Sequence, residues 1–218
     1  MDLSHIKTIV FDWDGTLHDS MKIYKKAFLE AYQYLVDHKY APKKVWIDKD
    51  IQKFLGMNPK EMWESFYPKL SQEVIDTVSP MISRSMTESI KNNEAVLYPG
   101  AQEILAYLKE KGYKLIYLSN SKTYYMNAMD EAFDLCNYFD IMLCSEMYNF
   151  ISKKYILERI MQSIPKDVVM IGDRDIDIET GKYNKVMTIG CSYGYGSLKE
   201  LENADLVIDD IRKLKDIL

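Results

Sequence analysis

The chain has 218 residues, 47% of them hydrophobic, enough for a real core and for one α/β domain carrying a smaller inserted one. Its 33 acidic and 28 basic side chains are well mixed and leave a formal charge of -5, without the basic face or stripe that nucleic-acid binding requires. No apolar run approaches the ~20 residues that span a bilayer, and the amino terminus holds no long apolar stretch, so a soluble cytoplasmic protein without nucleic-acid or membrane partners is expected.

The first element is the apolar run Ile9-Val10-Phe11, which leads into Asp12-Trp13-Asp14-Gly15-Thr16-Leu17. Side chains two apart in an extended segment face the same side, so Asp12 and Asp14 are expected to point into one space. Like charges held together need a cation or a shared proton, which makes the pair a candidate for metal-assisted chemistry. An Asp-Gly turn closing a hairpin is the alternative. After Leu17 the pattern becomes helical: Met21, Tyr24, Phe28, Ala31 and Leu35 recur on one face, and no strand follows until beyond Tyr98. Residues 18–93 therefore read as an all-helical insert, which is expected to lie over the edge where the acids gather. Asn58-Pro59 is a helix start and Ser71 a cap for the next helix. Trp46, Trp63 and Phe66 read as helix packing, with pocket lining as the alternative, and Lys60 either meets a distal anion or marks a helix boundary.

Beyond the insert, strands and helices alternate. Ala101, Ile104, Leu105 and Leu108 make a helical stripe, followed by a strand at 114–118, a helix at 123–135, a strand at 141–144 and a helix at 153–163. A strand at 168–171, a helix at 175–183, a strand at 186–189, a short helix from Ser197, a strand at 206–208 and a final helix complete the order. The alternation predicts a Rossmann-like parallel sheet flanked by helices, built from residues 1–17 and 94–218. Ligands of such sheets bind beyond the carboxyl ends of the strands, where Asp12, Asp14, Ser119, Asp173 and Asp177 would share one edge. Cys136, Cys144 and Cys191 lack a Cys-x-x-Cys pair and read as reduced, mostly packed thiols. His5, His18 and His38 show no zinc-ligand spacing and read as incidental.

Asp12-Trp13-Asp14-Gly15-Thr16-Leu17, the strand ending in Ser119-Asn120, a lysine near 153 and Gly172-Asp173-Arg174-Asp175-Ile176-Asp177 together resemble the four motifs of the haloacid dehalogenase superfamily. The resemblance spans Ile6 to at least Gly196, and the insert resembles the small helical cap of phosphoglycolate-phosphatase-like members. Tyr98-Pro99-Gly100, Lys111-Gly112 and Tyr193-Gly194-Tyr195-Gly196 also resemble that subgroup. The resemblance implies that Asp12 attacks the phosphorus of a small-molecule phosphate monoester and becomes an aspartyl-phosphate, while Asp14 protonates the leaving alcohol and then activates water. It implies Mg2+ held by Asp12, the Asp14 backbone carbonyl and Asp173, with Asp177 orienting that shell. Ser119 and the Asn120 amide would hold phosphate oxygens, and Lys153 would neutralise their charge, with adjacent Lys154 left open as the site lysine. On its own residues Ser119 also fits a helix cap, and Asp173, Asp175 and Asp177 a solvated first-turn cluster. An acid at position 14 favours phosphatases and phosphomutases over dehalogenases, and Tyr24 stands where sugar mutases of this kind use a cap histidine, so hydrolysis leads. A phosphomutase and a catalytically silent phosphate-binding regulator remain the alternatives. The particular ester, the cap residues that select it, and monomer versus homodimer stay open.

Overall fold

The computed structural model describes Leu3 and residues 5–218. Their strands form one six-stranded parallel sheet: β1 (Thr8–Phe11), β2 (Lys114–Ser119), β3 (Ile141–Cys144), β4 (Val168–Gly172), β5 (Met187–Cys191) and β6 (Leu206–Ile208). The spatial order is β3-β2-β1-β4-β5-β6. The chain leaves β1 in one direction for β2 and β3 and then returns to its other side for β4, so the strand order reverses at β1. This is the Rossmann-like sheet with flanking helices that the alternation predicts.

Every residue of β1 is buried, because β2 and β4 pair with its two edges and the sheet is packed on both faces. Val10, Ile116, Leu118 and Met170 pack with Ile156, Leu157 and Ile164 in one continuous core. Ile156 and Leu157 come from the helix Lys153–Ile160. Phe11 and Tyr117 meet Phe139 edge-on, at ring distances of 6.3 and 5.8 Å.

Two compact units divide the described residues: one runs up to Asp19 and resumes at Leu97–Leu218, the other is Ser20–Val96. The second unit holds the helices α1 (Met21–Asp37), α2 (Asp48–Gln52), α3 (Pro59–Ser65) and α4 (Gln72–Lys91). On α1, Tyr24, Phe28, Ala31 and Leu35 are buried as their spacing predicts, whereas Met21 is only half-buried. Trp46 packs against Phe28, Tyr32, Phe54 and Phe66, and Trp63 against Phe66, so packing within this unit accounts for Trp46, Trp63 and Phe66. The Asn58 side chain accepts the Lys60 and Glu61 N–H groups, each at 3.0 Å, and Glu61 returns the bond to the Asn58 N–H. That reciprocal cap, with Pro59 supplying a preset φ, is why α3 starts there. Lys60 faces Glu64 one turn on, at 3.9 Å. Ser71 caps α4 through Val74 N–H at a longer 3.5 Å.

The first unit carries α5 (Ala101–Glu110), α6 (Thr123–Phe133), α7 (Lys153–Ile160), α8 (Asp175–Tyr183) and α9 (Leu214–Ile217). Ala101, Ile104, Leu105 and Leu108 of α5 are wholly buried. α6 stops two residues short of expectation because Asp134 turns left-handed, at φ 52° and ψ 44°. α7 ends at Ile160 rather than at 163. From Ser197 the expected short helix is a series of turns, with the Glu200 and Glu202 N–H groups bonded three residues back. The Asp205 carboxylate then takes both the N–H and the hydroxyl of Thr188, each at 2.8 Å, which pins the chain to β5 before an α-turn can propagate. Cys144 and Cys191 are buried, whereas Cys136 is exposed. No helix of the described residues is long and apolar enough to cross a membrane.

Replacing Asn58 by Ala should lower the unfolding free energy of the full chain by about 1 kcal/mol, and Ser71→Ala by less, as read from urea denaturation midpoints.

Candidate active site

The site is assembled where β1, β2 and β4 end side by side. Phe11 pairs with Tyr117 and with Ile171, so the next residues along these strands reach a common carboxyl edge: Asp12, then Ser119 and Asn120, then Gly172 and Asp173. Asp12, Ser119, Asn120 and Asp173 are all buried. The Asp12 N–H still donates to the Ile171 carbonyl at 2.9 Å, which fixes its backbone to the sheet.

Extended geometry does not continue to Asp14. The Trp13 carbonyl receives the N–H groups of Thr16, Leu17 and His18, so the segment after Asp12 is a tight turn rather than more strand. Gly15 makes that turn possible at φ +92°, and a Cβ there would lie 2.3 Å from Asp173 Oδ2. Gly172 is required for a second close approach, since its Cβ would fall 2.2 Å from Asp177 Cγ. The carboxyl of Asp14 consequently has partners different from those of Asp12.

Among the described residues, the carboxylates that converge closely enough to hold one cation are Asp12, Asp173 and Asp177, with oxygens within 4.8 Å of one another. Lys153, the first residue of α7, is 1% exposed and inserts its Nζ between two of them, 2.6 Å from Asp12 Oδ1 and 2.7 Å from Asp177 Oδ1. Lys154 turns outward to Glu179 and lies over the Tyr155 and Tyr183 rings. Asp177 sits in the first turn of α8, where its Oδ2 also accepts the Arg174 N–H at 3.1 Å. Asp173 Oδ2 accepts the Tyr195 N–H at 2.6 Å. What remains is Asp12 Oδ2 and Asp173 Oδ1, each 3.5 Å from the Thr16 hydroxyl and with no closer donor among the described residues. Two weakly engaged carboxylate oxygens facing one point are a donor set suited to a hard divalent cation.

The electrostatics follow from three buried carboxylates and one buried ammonium. Burial raises the Asp12 carboxyl from 3.8 to about 7, the charge of Asp177 adds to that, and Lys153 opposes it. Asp173 is pushed well above the usual carboxylate range by burial and by the charges of Asp12 and Asp177, with the Tyr195 N–H working the other way. Burial works against the charge of Lys153, but Asp12 and Asp177 outweigh it and hold the ammonium above its ordinary value.

Several residues near these acids carried no signal as separate side chains. His18, read as incidental, is fully buried, with Nδ1 3.2 Å from Asp14 Oδ1 and its ring stacked on Trp13 at 5.6 Å. Tyr125 donates to Asp14 Oδ1 at 2.6 Å. Burial and the Asp14 charge hold its phenol well above 10, so it stays a donor. Tyr193 donates to the Thr16 carbonyl at 2.8 Å and Tyr195 to Asp19 at 3.0 Å, tying the loop after β5 to the turn after β1. The spacing of four between Asp14 and His18 was the one local hint. Arg174 pairs with Glu200 at 2.7 Å, and Asp175 is exposed.

A carboxyl whose folded pKa lies above its unfolded value binds more protons when folded, so its contribution to stability is present at low pH and lost as pH rises from 3.8 to about 7. Asp173 is shifted in the same direction, so in EDTA Asp173→Asn should be more stable than the parent, with a larger gain near neutral pH than near pH 5. Thermal melts at the two pH values check this.

The sequence pattern of haloacid dehalogenase-like hydrolases matches residues 9–191. Among similar proteins, a phosphoglycolate phosphatase of Aquifex aeolicus is 26% identical over 200 residues, covering 88% of each chain. The pyrophosphatase PpaX of Anoxybacillus flavithermus is 23% identical, over 98% of this chain and 97% of its own. A crystal structure described as a predicted phosphatase from Clostridium acetobutylicum superposes with a TM-score of 0.81 at 25% identity, covering 97% of both chains. With the parallel sheet, the acids at its carboxyl edge and a family match over most of its length, this chain belongs to the haloacid dehalogenase-like hydrolases.

Proposed function

We propose that the chain is a magnesium-dependent phosphatase that hydrolyses a small-molecule phosphate monoester through an aspartyl-phosphate on Asp12. The observation that carries this reading is the asymmetric Asp12 carboxyl, with Oδ1 on the Lys153 ammonium and Oδ2, like Asp173 Oδ1, 3.5 Å from the Thr16 hydroxyl. Relatives named phosphoglycolate phosphatase and pyrophosphatase support phosphate-bearing small molecules as the substrate class.

Asp12 and Asp173, with the Asp14 backbone carbonyl, would hold Mg2+, and Asp177 would keep Lys153 and the Arg174 backbone in place around them. When bound, the ion supplies charge neutralisation between an anionic carboxylate and an anionic phosphate. In the first step an Asp12 oxygen forms a bond to phosphorus as the bond to the ester oxygen breaks, and Asp14 gives that oxygen a proton. In the second, water attacks the same phosphorus, its proton passes to Asp14, and the bond to Asp12 breaks to release phosphate. Lys153 balances charge on the transferring group, and Ser119 Oγ with the Asn120 N–H holds its oxygens. Phosphoryl transfer asks mainly for such positioning and electrostatic stabilisation, which is why so few side chains suffice.

Purified protein should release phosphate from p-nitrophenyl phosphate with Mg2+ and lose this activity in EDTA. Asp12→Asn should fold and lose activity by at least about 10³-fold, and Lys153→Met should lose far more than Lys154→Met. Full turnover by Asp12→Asn would remove the nucleophile assignment. A panel of phosphate esters, including phosphoglycolate and pyrophosphate, would then identify the substrate.

A further inference from the structure

Asp14, unlike Asp12, is not in contact with Lys153, and its environment is built from another part of the first unit. Its Oδ1 receives the Tyr125 hydroxyl at 2.6 Å and lies 3.2 Å from His18 Nδ1, while the Tyr125 oxygen and His18 Nδ1 are 3.1 Å apart. Three polar atoms thus close a triangle. His18 is wholly buried, and its Nε2 has no hydrogen-bond partner among the described residues, which fits a ring whose proton sits on Nδ1 and points at this triangle. Trp13 stacks on the imidazole at 5.6 Å, and Phe133 meets both rings, 6.5 Å from the imidazole and 6.3 Å from Trp13. Tyr125 and Phe133 both lie on α6, eight residues apart, so one helix face supplies a donor and a wall. The Asp14 side chain keeps 17% of its surface exposed, which leaves it accessible to a reacting group although one oxygen is held.

We propose that Tyr125 and His18 are positioning residues for Asp14, clamping one carboxyl oxygen so that the acid is presented in a fixed orientation for proton transfer to the leaving group. The proposal rests on the phosphatase reading above. A carboxyl with two side-chain donors on one oxygen loses rotational freedom before substrate arrives, and general acid catalysis depends on that geometry. Nothing in the acidic motif requires a histidine at position 18 or a tyrosine at 125. The clamp is a device of this chain's own residues.

The test compares kcat/KM, which covers the steps through transfer to Asp12, for p-nitrophenyl phosphate, phenyl phosphate and an alkyl phosphate. A nitrophenolate leaves with little need of a proton, whereas phenol and an alcohol leave poorly without one. Tyr125→Phe should cost little on p-nitrophenyl phosphate and about tenfold or more on the poorer leaving groups. His18→Asn, which keeps an N–H near the Nδ1 position, should retain more activity on the poor leaving groups than His18→Leu. An equal loss across the three esters, no loss, or a gain would overturn the proposal. A second measurement does not depend on turnover: melting midpoints of Tyr125→Phe, Asp14→Asn and the double variant should be non-additive, and additive midpoints would overturn the clamp. Absence of phosphate release by the parent from every ester would instead defeat the phosphatase reading, while the midpoints still decide whether the clamp exists.

Discussion

The Lys153 ammonium buried between Asp12 and Asp177 is the interaction on which the rest of the site depends. Removing charges from water is costly, and a buried pair is tolerated only when its geometry is good and the remaining lone pairs are satisfied. Here one cation faces three carboxylates, so with all three ionised the cluster is two positive charges short of neutral. Backbone N–H groups from Arg174 and Tyr195 satisfy an oxygen each of Asp177 and Asp173. The oxygens of Asp12 and Asp173 that face Thr16 have only long contacts with its hydroxyl. The fold keeps a local destabilisation that a divalent cation would relieve, and this is the physical ground for assigning one.

That arrangement constrains the chain well beyond the acids. Four separate segments must reach the same edge, and the parallel register of β1 with β2 and β4 brings three of them there. α7 contributes Lys153 at its first residue, aimed by a helix whose next turn is anchored in the core through Ile156 and Leu157. The glycine at position 15 leaves room for the Asp173 carboxylate, and the one at 172 leaves room for Asp177. A methyl group at either place would occupy the volume that a carboxyl fills.

Much of this was legible in the residues, and the exceptions have physical causes. Continuous apolar runs such as Val168 to Ile171 announce strands buried on both faces, and the α5 stripe announces a helix with one covered face. Asn58 and Ser71 announce helix starts because capping is a local hydrogen bond. The turn at Asp14 was not legible from period-two reasoning, since the strand gives way to a turn once the Trp13 carbonyl begins to accept from residues three to five ahead. Nor was the turn region after Ser197, whose end is set by a contact between Asp205 and Thr188, 17 positions away. Lys153 and Lys154 are equivalent as residue types, and only the helical phase sends one inward. His18 and Tyr125 take their meaning from a contact 107 positions apart in sequence, which no local pattern encodes.

The two acids of the first motif thus end in different surroundings, Asp12 beside an ammonium and other carboxylates, Asp14 beside a phenol and an imidazole. Such a division suits a nucleophile and a proton carrier placed two residues apart. The central claim, that the uncompensated oxygens of Asp12 and Asp173 form a cation site, is tested most directly by calorimetric titration of Mg2+ into the parent protein and Asp173→Asn at neutral pH. The account predicts saturable binding to the parent and its loss in the variant; equal affinity in both would contradict it.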